Sequence, residues 1–234
     1  MSYILMFLLL MEVLQATAAP GRPEIQQDEF VAVFGRQWTN IALMNIYRGI
    51  AYEIYQQNGD RFSEKRIVNL VKDPSKIDFT ILHEDDPVAD RLYSFEFIVP
   101  YKNAKSLYPS MLRTLSDYSD YSATLEKQRQ KCLVLKRTGP SDRLKSKGGA
   151  QITDFAKTPT RIQNASLDFL IVALNVNRKV TPLPVVDETG YTGKVDIDLG
   201  TFSDLPSLKK SLQKYGLDLI EEERELMMLV VRDQ

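Results

Sequence analysis

The sequence predicts an α+β fold of two related units, each a mostly antiparallel sheet covered by two helices. Three observations predict it. Period-two alternation marks strands, most clearly at Lys194–Leu199. There Val195, Ile197 and Leu199 share one face and Lys194, Asp196 and Asp198 the other. Apolar stripes at spacings of three and four mark amphipathic helices. The order helix, strand, strand, helix, hairpin then runs twice along the chain.

The chain divides into a signal-like leader and polar segment (1–29), a first unit (30–138), a flexible connector (139–160) and a second unit (161–234). In the leader, Tyr3–Met11 is an apolar run too short to span a bilayer, followed by the A-x-A site Ala16-Thr17-Ala18. Glu12 interrupts this export-type pattern and no Lys or Arg precedes the run. The expectation is a periplasmic or otherwise exported protein with no stable membrane span in the mature chain.

In the first unit Phe30–Phe34 reads as a short strand. Thr39 or Asn40 then caps a helix to Asn58, with Leu43, Ile46, Tyr47, Ile50, Ala51 and Ile54 as its stripe. Arg66–Val71 is a strand, Lys72–Arg91 an acidic connection, and Leu92–Val99 an aromatic-rich strand. A helix from Asn103 or Ser106 to Asp117 leads to a hairpin, Tyr121–Arg137, turning at Lys127–Gln130. Gly139-Pro140-Ser141 and Lys147-Gly148-Gly149 mark the connector.

In the second unit Asn164 caps a helix over Ala165–Asn175. Pro184–Asp187 and Lys194–Leu199 form a hairpin turning at Gly190 and Gly193. Asp204 caps the helix Leu205–Tyr215, Pro206 fits its first turn, and Gly216 stops it. Leu217–Arg232 closes the chain as a hairpin turning at Glu221–Glu223.

A length of 234 residues and 44% apolar content suffice for a normal core. A net charge of −1 gives no reason to expect nucleic acid. The one cysteine, Cys132, excludes an intramolecular disulfide and a cysteine zinc site, and its apolar neighbours make it a small buried hydrophobe. The one histidine, His83, excludes a multi-histidine metal site.

His83-Glu84-Asp85-Asp86 offers a nitrogen and carboxylates for a metal or an acid/base pair, but contiguous ligands in one loop do not all converge, and a solvated loop is the plainer reading. Asp187, Glu188, Asp196 and Asp198 cluster around the Gly190/Gly193 turn, where paired carboxylates would suit hydrolysis or calcium. Against that, Asp196 and Asp198 sit on the expected wet face of a strand. Thr189–Gly193 joins strand to strand, so it is no phosphate loop. Ser116, Ser119 and Ser122 have only His83 as a conceivable activator. Arg137, Arg143, Lys145 and Lys147 read as a soluble basic linker, or as a contact for an anionic surface. Tyr47 is expected in the core and Tyr52 outside it. No catalytic, cofactor or metal residue is assigned. Asp187, Tyr191, Asp196 and Asp198 form the candidate binding surface.

PVVDETGYTGKVDIDL, with DLPSLKKSLQKYGLDLIEEERELMMLVVRD, resembles the ending of an uncharacterised, soil-associated bacterial family, a domain of unknown function. Its members close on the pattern PVVDxTGxTGxxDxxL plus a helix and hairpin. TNIALMNIYRGIAYEIY and FEFIVPYKNAKSLYPSMLRTLSDYSDYSATLEKQRQKCLVLKR resemble its earlier helix and hairpin, so the likeness runs from Trp38 to Asp233. The chain departs from it by lacking the histidine and proline of the middle hairpin and by the longer acidic connection around His83. The resemblance implies export and, from its fusions to thioredoxin-like or sensor-peptidase domains, work beside another envelope protein; it carries no catalytic residue. In element order the units are also similar to the docking modules of secretins and TonB-dependent receptors. The expected function is a non-enzymatic envelope docking module without cofactor, its partner another envelope protein. The alternatives are a carboxylate-dependent hydrolase and an accessory to a thioredoxin-like protein. The oligomeric state stays open.

Overall fold

The computed structural model describes residues 33–79, 91–139, 142–155 and 160–234. The fold is α+β. The first half contains β1 (Val33–Ile41), α1 (Leu43–Gln57), β2 (Ile67–Asn69), β3 (Tyr93–Pro100), α2 (Leu107–Asp117) and β4 (Tyr121–Arg137). The second contains β5 (Ile152–Asp154), β6 (Thr160–Ser166), α3 (Asp168–Val176), β7 (Val185–Asp187), β8 (Lys194–Gly200), α4 (Leu205–Gln213) and β9 (Leu217–Asp233). The signal-like leader and the His83 loop lie outside the described residues.

Two strands of 17 residues each, β4 and β9, hold the halves together. They pair antiparallel over their whole length, from Tyr121 opposite Asp233 to Arg137 opposite Leu217. β2 adds parallel to the end of β9, Ile67 opposite Leu229, and β7 adds parallel to the end of β4, Val185 opposite Leu133. Each half therefore pairs its short strand with the long strand of the other half.

The pleat of this ribbon explains its sequence. On one face Tyr121 and Ala123 of β4, with Leu229 and Val231 of β9, close a core under α1 and α2. Further along the same face Leu133, Leu135, Leu217 and Leu219 close a second core under α3 and α4. Between the cores, Lys127, Arg129 and Lys131 meet Glu225, Glu223 and Glu221 at 3.3, 3.2 and 3.5 Å. The opposite face buries Cys132, Val134, Leu226, Met228 and Val230. Each fully buried aliphatic side chain contributes about 2 kcal/mol.

The helices follow their stripes. Leu43, Ile46, Tyr47, Ile50, Ala51 and Ile54 of α1 are buried as expected, and the Tyr47 hydroxyl donates to the Tyr121 carbonyl at 3.1 Å. Asp204 caps α4: its side chain accepts from the Ser207 amide at 2.8 Å in a capping box, with Pro206 in the first turn. Gly216 then turns the chain into β9 at φ 71°.

Several local expectations are corrected. Tyr121–Arg137 and Leu217–Arg232 are not hairpins: Lys127–Gln130 and Glu221–Glu223 continue their strands, because opposite charges meet across the ribbon instead of turning into water. Pro184–Asp187 and Lys194–Leu199 do not pair with each other; β7 joins β4, whereas β8 joins β6. Asn40 and Asn164 do not cap helices. Each sits at left-handed φ (52° and 49°) in a bulge, between Trp38 and Ile41 in β1 and between Ile162 and Ala165 in β6. The connector is packed over its described part. Leu144 is 1% exposed in the second core, Lys145 bridges to Val195, and β5 pairs with β6.

Candidate functional site

Three of the four candidate residues lie on or beside one sheet, β5-β6-β8, and its connector. Asp196 is the node. Its Oδ1 accepts from the Ser146 hydroxyl at 2.7 Å and the Asn164 amide at 2.9 Å, and its Oδ2 from the Lys147 amide at 2.8 Å. The amides of Lys147 and Asn164, followed by the Ser146 hydroxyl, hold its carboxyl below the usual range. The face expected to be wet is thus half-covered by the connector.

Asp198 accepts from the Gly200 amide at 2.9 Å, and its own amide donates to the Tyr215 hydroxyl at 2.8 Å. Asp196 and Asp198 line one open groove of about 350 Å³ with Lys147, Arg161 and Tyr215. Tyr191 lines a neighbouring groove of about 540 Å³ with Asp142, Lys145, Asn164 and Lys194. Its ring packs on the second core under the Arg137 guanidinium, 5.9 Å from the ring centre. A Cβ at Gly193 would come within 3.1 Å of that ring, so the glycine is needed for close approach. Asp187 is apart from both grooves and accepts from the Thr189 amide at 2.8 Å, a local turn. The structure therefore brings Asp196 and Asp198 together, sets Tyr191 next to them, and leaves Asp187 out. Each carboxylate holds a backbone amide, an arrangement that orders loops.

The other candidates resolve locally. Ser116 accepts from the Ala123 amide and donates to the Leu112 carbonyl, and Ser119 donates to the Tyr121 carbonyl, so both knit α2 to β4. Tyr47 is buried and Tyr52 is 49% exposed, as expected. Cys132 is buried, and burial pushes its thiol up, away from the reactive thiolate. Beside it Arg224 grips Glu188 with two nitrogens at 2.6 and 2.8 Å and also meets Glu222. No three of the described His, Cys, Asp or Glu residues are grouped to hold an ion.

A further apolar surface lies along α3. α3 buries Leu170, Ile171 and Leu174, but it also presents Phe169, Val172 and Val176 at 40, 38 and 75% exposure. Thr153, Phe155, Phe169, Val172, Val176 and Phe202 frame a groove of about 510 Å³ along it. On its other side lies a smaller groove of about 240 Å³ between α3 and Phe62-Ser63-Glu64. The signal was in the sequence: Phe169–Leu174 is apolar all round, and a helix of that kind is covered on both sides. Below its end, the Lys65 ammonium donates to the Leu174 carbonyl at 2.6 Å, and burial, reinforced by Arg178, lowers its pKa to about 8. No helix among the described residues is long and apolar enough to cross a membrane.

No protein-family model matches the chain, and neither does any curated protein or solved structure.

Proposed function

We propose that this chain is an exported, non-enzymatic docking module of the bacterial cell envelope that works by holding another envelope protein. The observation that carries the reading is the outer face of α3, where Phe169, Val172 and Val176 are left in solvent beside an apolar groove. The occupied carboxylates of Asp187, Asp196 and Asp198 favour docking over hydrolysis, since none is held ready for a substrate proton. The buried thiol of Cys132 favours it over a redox role. The closing motif Pro184–Leu199, through its likeness to an exported family, supports the compartment.

We further propose that the chain is a duplicated unit. Four coincidences support this: the repeated element order, the symmetric seats of β2 and β7 on the long strands, the bulges at Asn40 and Asn164, and the side-chain acceptor opposite each bulge. The Asn40 amide donates to the Ser94 hydroxyl at 3.2 Å, where the Asn164 amide donates to Asp196.

The test has two parts. The full chain, made in a Gram-negative host, is expected in the periplasm with its N-terminus at Ala19; an intact cytoplasmic product would sink the export claim. A photo-crosslinker at Val176 is expected to trap one defined envelope protein, and the trap should vanish in Phe169→Asp. A protein that stays alone and monomeric at every α3 position rules α3 out as the docking surface.

A further inference from the structure

The edges of the two small sheets differ. In the second half the connector lies along the outer edge of β8: the Asp196 amide donates to the Leu144 carbonyl at 3.0 Å, and the Ser146 amide donates to the Lys194 carbonyl at 2.9 Å. Leu144 is thereby driven into the core, and Val195, Ile197 and Leu199 are 0, 1 and 1% exposed. In the first half β3 takes the place of β8. Its register against the β1 bulge puts Tyr93 where Val195 stands, Ser94 where Asp196 stands and Phe95 where Ile197 stands. Yet β3 pairs only with β1 among the described residues, and Tyr93, Phe95 and Phe97 are only partly buried. An aromatic row beside an unpaired edge is what a missing strand leaves behind.

The occupant can be read from the filled edge. The segment there is Arg143-Leu144-Lys145-Ser146-Lys147: one aliphatic side chain pointing in, with basic neighbours. Exposed acidic residues stand at matching register positions, Asp198 on β8 and Glu96 on β3. Arg91, just before β3, is engaged by the Phe79 ring at 5.0 Å and the Ser75 carbonyl at 3.1 Å.

We infer that the outer edge of β3, at Leu92–Glu96, is a strand-docking site for an extended basic peptide of a partner protein, with one aliphatic side chain inserted beside Tyr93 and Phe95. This rests on the docking reading and gives it a surface separate from α3.

The probe is a synthetic peptide copying Asp142–Ala150, added to the full chain at about 1 mM, a concentration suited to weak strand addition. Backbone amide shifts and hydrogen exchange are read residue by residue. Expected are shifts and slowed exchange centred on the Ser94 amide. At least a tenfold loss of affinity is expected when the peptide carries Leu144→Asp, or is N-methylated at the position of Ser146. Equal binding by the N-methylated peptide means charge attraction without strand pairing and overturns the assignment. So do shifts at Lys194–Asp196, where the probe would be displacing the connector, and so does the absence of any shift. A partner still trapped at Val176 in those cases would leave the docking reading standing; with no partner at either surface, both fall.

Discussion

The two small sheets each set an asparagine-bulged strand against an alternating one, and they end differently. β1–β3 has two strands and two open edges among the described residues, whereas β6–β8 is closed on one side by β5 and on the other by the connector. The residues that line the closed sheet are fully buried aliphatics, and those of the open one are half-buried aromatics. An edge strand therefore decides how well a sheet's inner face is sealed, and the seal reaches past the edge into the core. The same contrast holds for the helices. α1 turns Asn45, Tyr52 and Gln56 to water, but α3 turns Phe169, Val172 and Val176.

The strongest way to break the comparison is to open the closed sheet. Leu144→Ala is expected to cost about 2–4 kcal/mol in urea unfolding, as for a core leucine. A loss below about 0.5 kcal/mol would mean that the connector is only a tether. Next, Asp196→Ala is expected to cost about 1–2 kcal/mol and Ser94→Ala less than about 1, because the acid ties down the connector and the serine does not. The Asp196 carboxyl is held low, so its contribution is present above the ordinary carboxyl pKa and lost as pH falls through the lowered one. The gap between wild type and Asp196→Asn should close in acid, below about pH 4; a gap that stays constant would deny the carboxylate its role.

Lys65 sharpens the comparison from the other direction, since Leu183 holds the matching place two residues before β7. A lysine lowered to about 8 in the folded chain binds its proton less well there than when unfolded. Stability should therefore rise with pH from about 8 to the unfolded lysine value near 10.4. Wild type is expected to gain on Lys65→Leu by about 1 kcal/mol over that window, and a flat difference would refute it. Smallest is the charge ladder between the cores. Lys131→Glu should change stability by no more than about 0.5 kcal/mol, and the change should shrink in salt.

Much of this was legible beforehand. Strict alternation located β8, the stripes located α1 and α4, and Asp204 with Pro206 and Gly216 fixed both ends of the last helix. The aspartates and tyrosine of the candidate surface were found as residues, but their roles were not. Alternation marks Asp196 as solvated, but the connector that covers it comes from some fifty residues earlier, and period two cannot see that contact. The charged centres of β4 and β9 resembled turns because they interrupt apolar runs. The cue against a turn was the absence of Gly, Pro, Asn and Asp from Lys127–Gln130, together with opposite charge signs in the two segments. Asn40 and Asn164 misled in the same way: asparagine favours both helix caps and left-handed bulges, and only the neighbouring strand decides between them. The parallel seats of β2 and β7 left no local mark at all.

That exchange of strands has a consequence for how the chain comes off the ribosome. Ile67 emerges long before its partner Leu229, and Leu229 and Val231 are also bricks of the first core. The first half therefore waits with an unsealed interior until the second has been made, exposed to chaperones and to neighbouring nascent chains. Loss of Leu229–Val231 alone would undo the half of the fold that was made first.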